Sequence, residues 1–411
     1  MSGGTNAFII PREPFVTRRY LRLEAEQSPQ GVLKDGARRH FFFWARNGLY
    51  HALHSFQIPR GARALVPAYI CRAAVEPFEA YGLKVDFYHI RRDCRVDFED
   101  LQSRIRDDTR VVLAVHYFGF PQEMEKFGRI RQAKRVLLFE DCAHVLRGEY
   151  KGQPLGSFGD ASVFSYRKHL PMFDGAELLL QRAPDRELLR KMRWRSQFEV
   201  NALKHTLGFW LEGRGKAKAR SSAARTERER FSADCLEPVA NPQGGASTGQ
   251  SVPRIVDNNT ATFEEDLVNE PITRTSRWVL RHSDSEAIAK ARLENFLVLR
   301  EELRKIDGVK ILFEDAGPRV CPWVCPIVID GVADGHLSLR EAGIPAVTWG
   351  GVRPPHLPPG QHAEAEFLFA NCIFLPVHQN LTADDMHLIA KKIRLVASQP
   401  AGGERKRPSN G

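Results

Sequence analysis

RVLLFEDCAH at 135–144 and FGDASVFSYRKHLPMFDG at 158–175 are the two stretches that decide how this chain folds. In each, a short apolar run ends in polar groups. Leu137, Leu138 and Phe139 lead to Glu140 and Asp141, and Val163 and Phe164 lead to Ser165 and Lys168. Short apolar runs bounded by turn signals read as buried strands. Working outward, ARALVPA (62–68), KVDFYHI (84–90), RVVLAVHYF (110–118) and AELLLQ (176–181) read the same way. Between them NGLYHALHSFQ (47–57), CRAAVEPFEAYG (71–82), FEDLQSRIR (98–106) and MEKFGRIRQAK (124–134) carry apolar residues at helical spacing with a polar opposite face. The alternation predicts a βαβ succession and a mostly parallel sheet from about residue 40 to 180.

The chain has 411 residues, 43% of them hydrophobic, enough for a large core and, by length, two or three units. No run approaches the roughly 18–20 consecutive apolar residues that a membrane-spanning helix needs, and the first residues lack a signal-peptide pattern. A soluble cytoplasmic protein is the expectation. Seven cysteines, scattered and odd in number, read as reduced thiols rather than a disulfide scaffold. Cys321 and Cys325, in CPWVC, have no second pair and no clustered histidines, so no metal site is expected. The formal charge of +10 comes in good part from local tracts, RGKAKAR at 214–220 and ERKR at 404–407. Without a nucleic-acid-binding signature, this basicity fits an anionic small substrate rather than DNA or RNA.

Residues 1–210 form the expected large domain. Residues 211–272 are charged, then rich in Gly, Pro, Ser and Asn, and read as a flexible insertion. A smaller α+β domain is expected over 273–398, opening with a long amphipathic helix over 284–306 and closing with a helix that starts at Thr382; 399–411 reads as a disordered tail.

Carboxyl ends of parallel strands are where open α/β sheets bind ligands. Asp141, placed there, can hold a pyridine nitrogen protonated, the condition under which pyridoxal phosphate withdraws electrons. Ser165 can donate to a phosphate oxygen, and Lys168, three residues on, can reach the same molecule, bind its carbonyl carbon and shuttle protons. Singly, such an Asp is usually a cap or ion-pair partner and such a Lys a solvated cation. Their order and spacing together carry the inference. Glu140 is expected to face the other side of its strand, and His51 and His54 to be ordinary helix histidines.

VPAYICRAAVEPFEAYGLKVDFYHI (66–90), VVLAVHYFGFP (111–121), FEDCAH, GSFGDASVFSYRKHLPMFDGAEL (156–178) and LPVHQNLTADDM (375–386) together resemble the DegT/DnrJ/StrS family of sugar aminotransferases. The resemblance implies the fold type I architecture of pyridoxal-phosphate-dependent transferases. It further implies Lys168 as the cofactor-bearing lysine, Asp141 as the ring-nitrogen partner, His144 near the ring hydroxyl and Ser165 at the phosphate. Arg46, Asn47 and Gly48 fall at the family's phosphate turn, where a helix N-terminus would receive the anion. An amino donor such as glutamate, a nucleotide-linked keto-sugar acceptor and a homodimer are implied likewise. His116, Tyr117, Trp349 and Arg353, with His356 nearby, are candidates for the substrate mouth, whereas His378 is expected to be structural. Some positions depart from the pattern. Cys71 stands where the family often has a ring-stacking aromatic, leaving Tyr69 or His116 as substitutes, and Gly175 is followed by Ala176 rather than a second glycine. Two other readings stay open: a non-catalytic binding module that keeps the fold, and a sugar dehydratase of the kind that uses a histidine in the lysine's place, for which His169 is adjacent.

Overall fold

The computed structural model describes residues 10–26, 28–29, 37–181, 192–214, 263–317, 319–332 and 334–398. Its first half runs β1 (Arg38–Phe42), α1 (Ala45–Ser55), β2 (Arg63–Pro67), α2 (Arg72–Tyr81), β3 (Lys84–Tyr88), α3 (Phe98–Arg104), β4 (Thr109–Val115), α4 (Met124–Lys134) and β5 (Leu137–Cys142). A small hairpin, β6 (Glu149–Tyr150) and β7 (Gln153–Pro154), precedes β8 (Ala161–Ser165) and β9 (Ala176–Leu180). All six strands and four helices read from the apolar pattern over this region are present.

Seven of these strands form one sheet in the order β1-β9-β8-β5-β4-β2-β3. From β8 to β3 every pairing is parallel; β9 runs antiparallel to both β8 and β1. The parallel strands are covered on both faces, so they read as continuous apolar runs rather than alternating ones. Helix α1 crosses β8 so closely that a Cβ on Gly48 would lie 3.1 Å from Val163 Cγ1. The result is an α/β architecture with a mostly parallel central sheet.

The remainder comprises α5 (Ser196–Arg214), α6 (Arg274–His282), α7 (Ser285–Leu303), β10 (Val309–Ile311), β11 (Val324–Ile329), α8 (Gly335–Glu341), α9 (Ala363–Asn371), β12 (Ile373–Pro376) and α10 (Ala383–Ala397). Strands β10, β11 and β12 make an antiparallel sheet. The Asp284 side chain caps α7 by accepting from the Ala287 amide, and Thr382 and Asp385 form a reciprocal capping box on α10. The two parts share a continuous apolar core, in which Phe120 of the first stacks on Phe313 of the second with centroids 4.5 Å apart. An N-terminal arm ties them further: the Phe15 amide donates to Asn380 Oδ1, the Tyr20 hydroxyl to the Gln379 carbonyl and Ser28 Oγ to Glu177.

Most of the expected 211–272 insertion and the whole 399–411 tail lie outside the described residues. Residues 263–272 are described, and they pack against the large domain instead of forming a loose linker. Asn47 Nδ2 donates to the Leu267 carbonyl, His51 Nε2 lies 3.1 Å from the Val268 carbonyl, and the Phe43 amide donates to the Glu270 carbonyl. Their polar composition hid this because the partners are backbone carbonyls, which every residue carries. No described helix is long and apolar enough to cross a membrane.

Candidate active site

Strand β5 presents two adjacent carboxylates to opposite faces, as the two-residue period of a strand requires. Asp141 faces a cavity of about 570 Å³ at the carboxyl end of the sheet. Its Oδ1 accepts from the Ala143 amide at 2.8 Å. Burial raises its carboxyl above the ordinary range, and the ammonium of Lys168 pulls it back. Glu140 points the other way and is fully buried. Its oxygens accept the amides of Gly156, Phe158 and Gly159, and its Oε2 lies 3.1 Å from His116 Nε2.

Ser165 closes β8, and the tight turn Tyr166–Lys168 comes next, so that both Ser165 and Lys168 line the Asp141 cavity. Lys168 Nζ rests 5.1 Å from the centroid of the Trp323 ring. His144, on the turn after β5, lines the same cavity. Its Nδ1 accepts from the Phe118 amide at 3.2 Å, which places the proton of a neutral ring on Nε2. Burial first, and the charge of Lys168 second, drive its pKa well below the ordinary value, so the ring is neutral. It stacks on Trp323 with centroids 4.5 Å apart and planes 16° from parallel. Arg46, in the first turn of α1, completes the opposite wall, with its guanidinium over the Trp44 ring and 3.9 Å from buried Glu76.

The cavity thus gathers Asp141, His144, Ser165, Lys168, Arg46 and Trp349. Other expected members are elsewhere. Asn47 spends its amide on Leu267, and Gly48 serves the close crossing of α1 over β8; neither lines the cavity. His116 is fully buried behind the sheet with both ring nitrogens engaged, by Glu140 and the Gln122 amide. Tyr117 is buried with its hydroxyl donating to the Tyr69 carbonyl. Tyr69 packs on Tyr117, Trp349 and Phe369, so neither of the expected stacking substitutes reaches the cavity; its aromatic groups are Trp44, His144 and Trp349. Arg353 pairs with Glu366 at 3.1 Å and His356 lies 3.9 Å from Glu79, both outside the site. His116, Glu140 and Cys142 bring potential metal ligands within 4.8 Å of one another, but hydrogen bonds with the 156–159 loop and Gln122 commit the first two to packing.

A second space, about 900 Å³ and open to solvent, adjoins the first and shares Arg167 and Lys168 with it. Arg12 of the N-terminal arm, Phe209 of α5, Arg292 of α7 and Trp323 are among its walls. His378 also borders it while holding the arm, its Nε2 lying 3.0 Å from the Pro11 carbonyl. Sequence reasoning missed Trp323, which touches both His144 and Lys168. In CPWVC the cysteines draw the eye, although the tryptophan between them is the unusual residue.

The donor set suits pyridoxal phosphate. One cavity holds a buried carboxylate that could keep a ring nitrogen protonated, a hydroxyl and a guanidinium that could take a phosphate, and a lysine. A sequence model of the DegT/DnrJ/EryC1/StrS aminotransferase family matches residues 45–212. The chain is 29% identical over 119 residues to GDP-perosamine synthase of Escherichia coli O157:H7, covering 29% of this chain and 33% of that protein. It is 28% identical over 119 residues to GDP-4-keto-6-deoxy-D-mannose 3-dehydratase of Yersinia pseudotuberculosis, covering 28% of this chain and 30% of the relative. The aligned stretch is therefore about a third of these relatives' length. Among solved structures, the putative sugar aminotransferase Spr1654 of Streptococcus pneumoniae, in its PLP form, superposes with a TM-score of 0.62 at 15% identity, covering 94% of this chain and 98% of that one. Residues 45–212, the stretch that carries Asp141, His144, Ser165 and Lys168, are thus similar to the DegT/DnrJ/EryC1/StrS aminotransferase family.

Proposed function

We propose that the protein is a pyridoxal-phosphate-dependent aminotransferase that moves an amino group from an amino acid, glutamate in our reading, to a keto-sugar carried on a nucleotide, for polysaccharide or secondary-metabolite synthesis. The observation that carries this is the place of Lys168, which lines the cavity that holds Asp141, His144, Ser165 and Arg46 and also the larger space beside it. When bound, the cofactor supplies an electron sink for the carbon next to the transferred nitrogen. Asp141 keeps the ring nitrogen protonated, which sustains that sink. Neutral His144 can donate its Nε2 proton to the ring hydroxyl. Ser165 and Arg46 bind the phosphate. Lys168 Nζ would hold the cofactor at rest and, when free, would act as the base that takes the proton from the donor α-carbon.

A dehydratase reading would put a histidine in the lysine's role. His169 is fully buried and lines neither space, its carbonyl being held by Arg292 and Gln379, so the lysine reading is favoured although some relatives are dehydratases. A homodimer fits the exposed apolar stripe of α5, Val200, Leu203, Leu207 and Leu211, which has no cover among the described residues of one chain. A cytoplasmic location fits the odd, scattered set of seven cysteines.

The test is an absorbance spectrum of the purified protein with added pyridoxal phosphate, beside Lys168→Ala, before and after glutamate. A visible band that is absent in the variant and shifts to shorter wavelength with glutamate supports the reading. Identical featureless spectra would sink it and favour a binding module.

A further inference from the structure

Helix α5 is apolar on both faces. Phe198 and Ala202 pack inward on Phe43 and Phe173, with the Phe43 and Phe198 rings 4.7 Å apart, and Phe209 is buried as well. On the other face Val200, Leu203, Leu207 and Leu211 follow helical spacing and are between 49% and 61% exposed. A surface helix needs one apolar stripe to join its core; a second calls for cover. Helix α6 packs beside α5. Glu199 of α5 accepts the amides of Arg274 and Thr275 at the start of α6, and the Arg274 guanidinium lies 5.2 Å from the centroid of the Trp194 ring. Further along, Thr206 of α5 and Trp278 of α6 border one pocket. The outer faces of the two helices are therefore continuous.

Of nine large apolar side chains exposed among the described residues, seven belong to this surface: the four of the stripe with Trp194, Trp210 and Trp278. Cations surround them. Over 193–211 and 274–282 six are exposed, Arg193, Arg195, Lys204, Arg274, Arg277 and Arg281, and the one carboxylate, Glu199, is engaged at the start of α6. Among the described residues only Arg195 of these six is in an ion pair, with Glu270 at 2.6 Å. Aliphatic groups for the acyl boundary, tryptophans for the headgroup level and cations for anionic lipid are what a helix lying in a membrane interface presents. Two copies joined here by a two-fold axis would set this cationic surface against itself. The aliphatic stripe alone suits a second copy, but the charge around it favours an anionic lipid surface and leaves any pairing of copies to another face.

We propose that the outer faces of α5 and α6, with Trp194, dock the protein on an anionic phospholipid membrane. The helices lie along the surface, since no described helix is long and apolar enough to cross it. The aliphatic stripe of α5 enters the acyl boundary, while Lys204 and the arginines of α6 meet headgroup phosphates. None of the seven exposed apolar side chains lines either space beside Lys168, so the docking surface does not depend on the aminotransferase reading.

The experiment is flotation of the full-length protein with vesicles of phosphatidylcholine mixed with phosphatidylglycerol, and with vesicles of phosphatidylcholine alone, at low and high salt. Binding to the mixed vesicles is expected, at least about tenfold tighter than to the neutral ones, weakening as salt rises. Tryptophan emission should move to shorter wavelength on binding. Two double variants test the face itself: Lys204→Glu with Arg281→Glu, and Leu203→Ser with Leu207→Ser. Each should weaken binding at least about tenfold. All four side chains are exposed, so both variants should melt with the parent. Equal affinity for the two kinds of vesicle, or affinity for neither, overturns the proposal. So does unchanged binding by either variant, which would assign the lipid contact to basic tracts elsewhere in the chain. A parent dimer that ignores vesicles and falls apart in the serine variant, read by light scattering, would give the face to a second copy and overturn it too.

Discussion

The two faces of strand β5 carry the same chemistry to different ends. On the cavity face Asp141 has one hydrogen bond from a backbone amide and a lysine as its charged neighbour. On the opposite face Glu140 accepts three amides and a histidine and is enclosed completely. Both are buried carboxylates with a histidine close in sequence or space. What separates a site from a staple is unspent capacity: Glu140 has committed its oxygens to the 156–159 loop, whereas Asp141 keeps acceptor capacity toward a cavity.

Replacing the groups on each face should break this symmetry in opposite ways. Lys168→Ala should give the largest effect, with loss of the visible cofactor band and a fall in transamination of at least about 10³-fold, measured by 2-oxoglutarate release. Asp141→Asn should come next, with turnover down roughly 10²-fold or more and an unchanged melting curve, because the ring nitrogen loses its counter-charge while the packing stays. Glu140→Gln should do the reverse. It replaces charged acceptors of three buried amides and should cost about 2–3 kcal/mol in denaturant unfolding, with cofactor absorbance retained in the folded fraction. If Glu140→Gln instead removed the band without loss of stability, the division between the two faces would be wrong.

A third buried carboxylate sharpens the contrast. Asp174 accepts the Thr273 amide and hydroxyl and the Ser276 hydroxyl at the start of α6, with no cation beside it among the described residues, and burial lifts its pKa to about 6. The folded protein therefore holds this proton where the unfolded chain, at an ordinary carboxyl value, has lost it. The group's contribution to stability falls as pH rises from about 4 to about 6 and stays low above that. Asp174→Asn should flatten that gradient by about 1–3 kcal/mol between pH 7 and pH 5, read from unfolding curves at each pH. The smallest effect is expected at Gly48→Ala, whose added Cβ would press on Val163 at 3.1 Å. About 1 kcal/mol of stability should be lost, with a modest weakening of cofactor binding because Val163 lines the cavity.

Asp141, His144, Ser165 and Lys168 were legible because each lies at or just past the end of an apolar strand, and a parallel strand delivers those residues to the sheet's carboxyl edge. His116 and Tyr117 also come directly after a strand, β4, yet point into the protein. Nearness along the backbone does not say which way a side chain turns. Asn47 and Gly48 sit beside Arg46 in sequence but face the 263–270 segment and β8, because successive helix residues are about 100° apart. Arg353 found a carboxylate on α9, which composition alone gives no means to foresee.

Periodicity and strand-end chemistry, both local properties of the chain, thus determined the parallel sheet, the order of its helices and the core of the site. Only the tertiary structure decided which neighbours of that core take part. Trp323, Trp349, Arg12 and Arg292 come from segments more than 120 residues from Lys168 and meet it only because the arm and the second part of the chain pack over the sheet edge. The charge balance of Glu140 depends on which groups burial brings within reach, and sequence order does not hold that information.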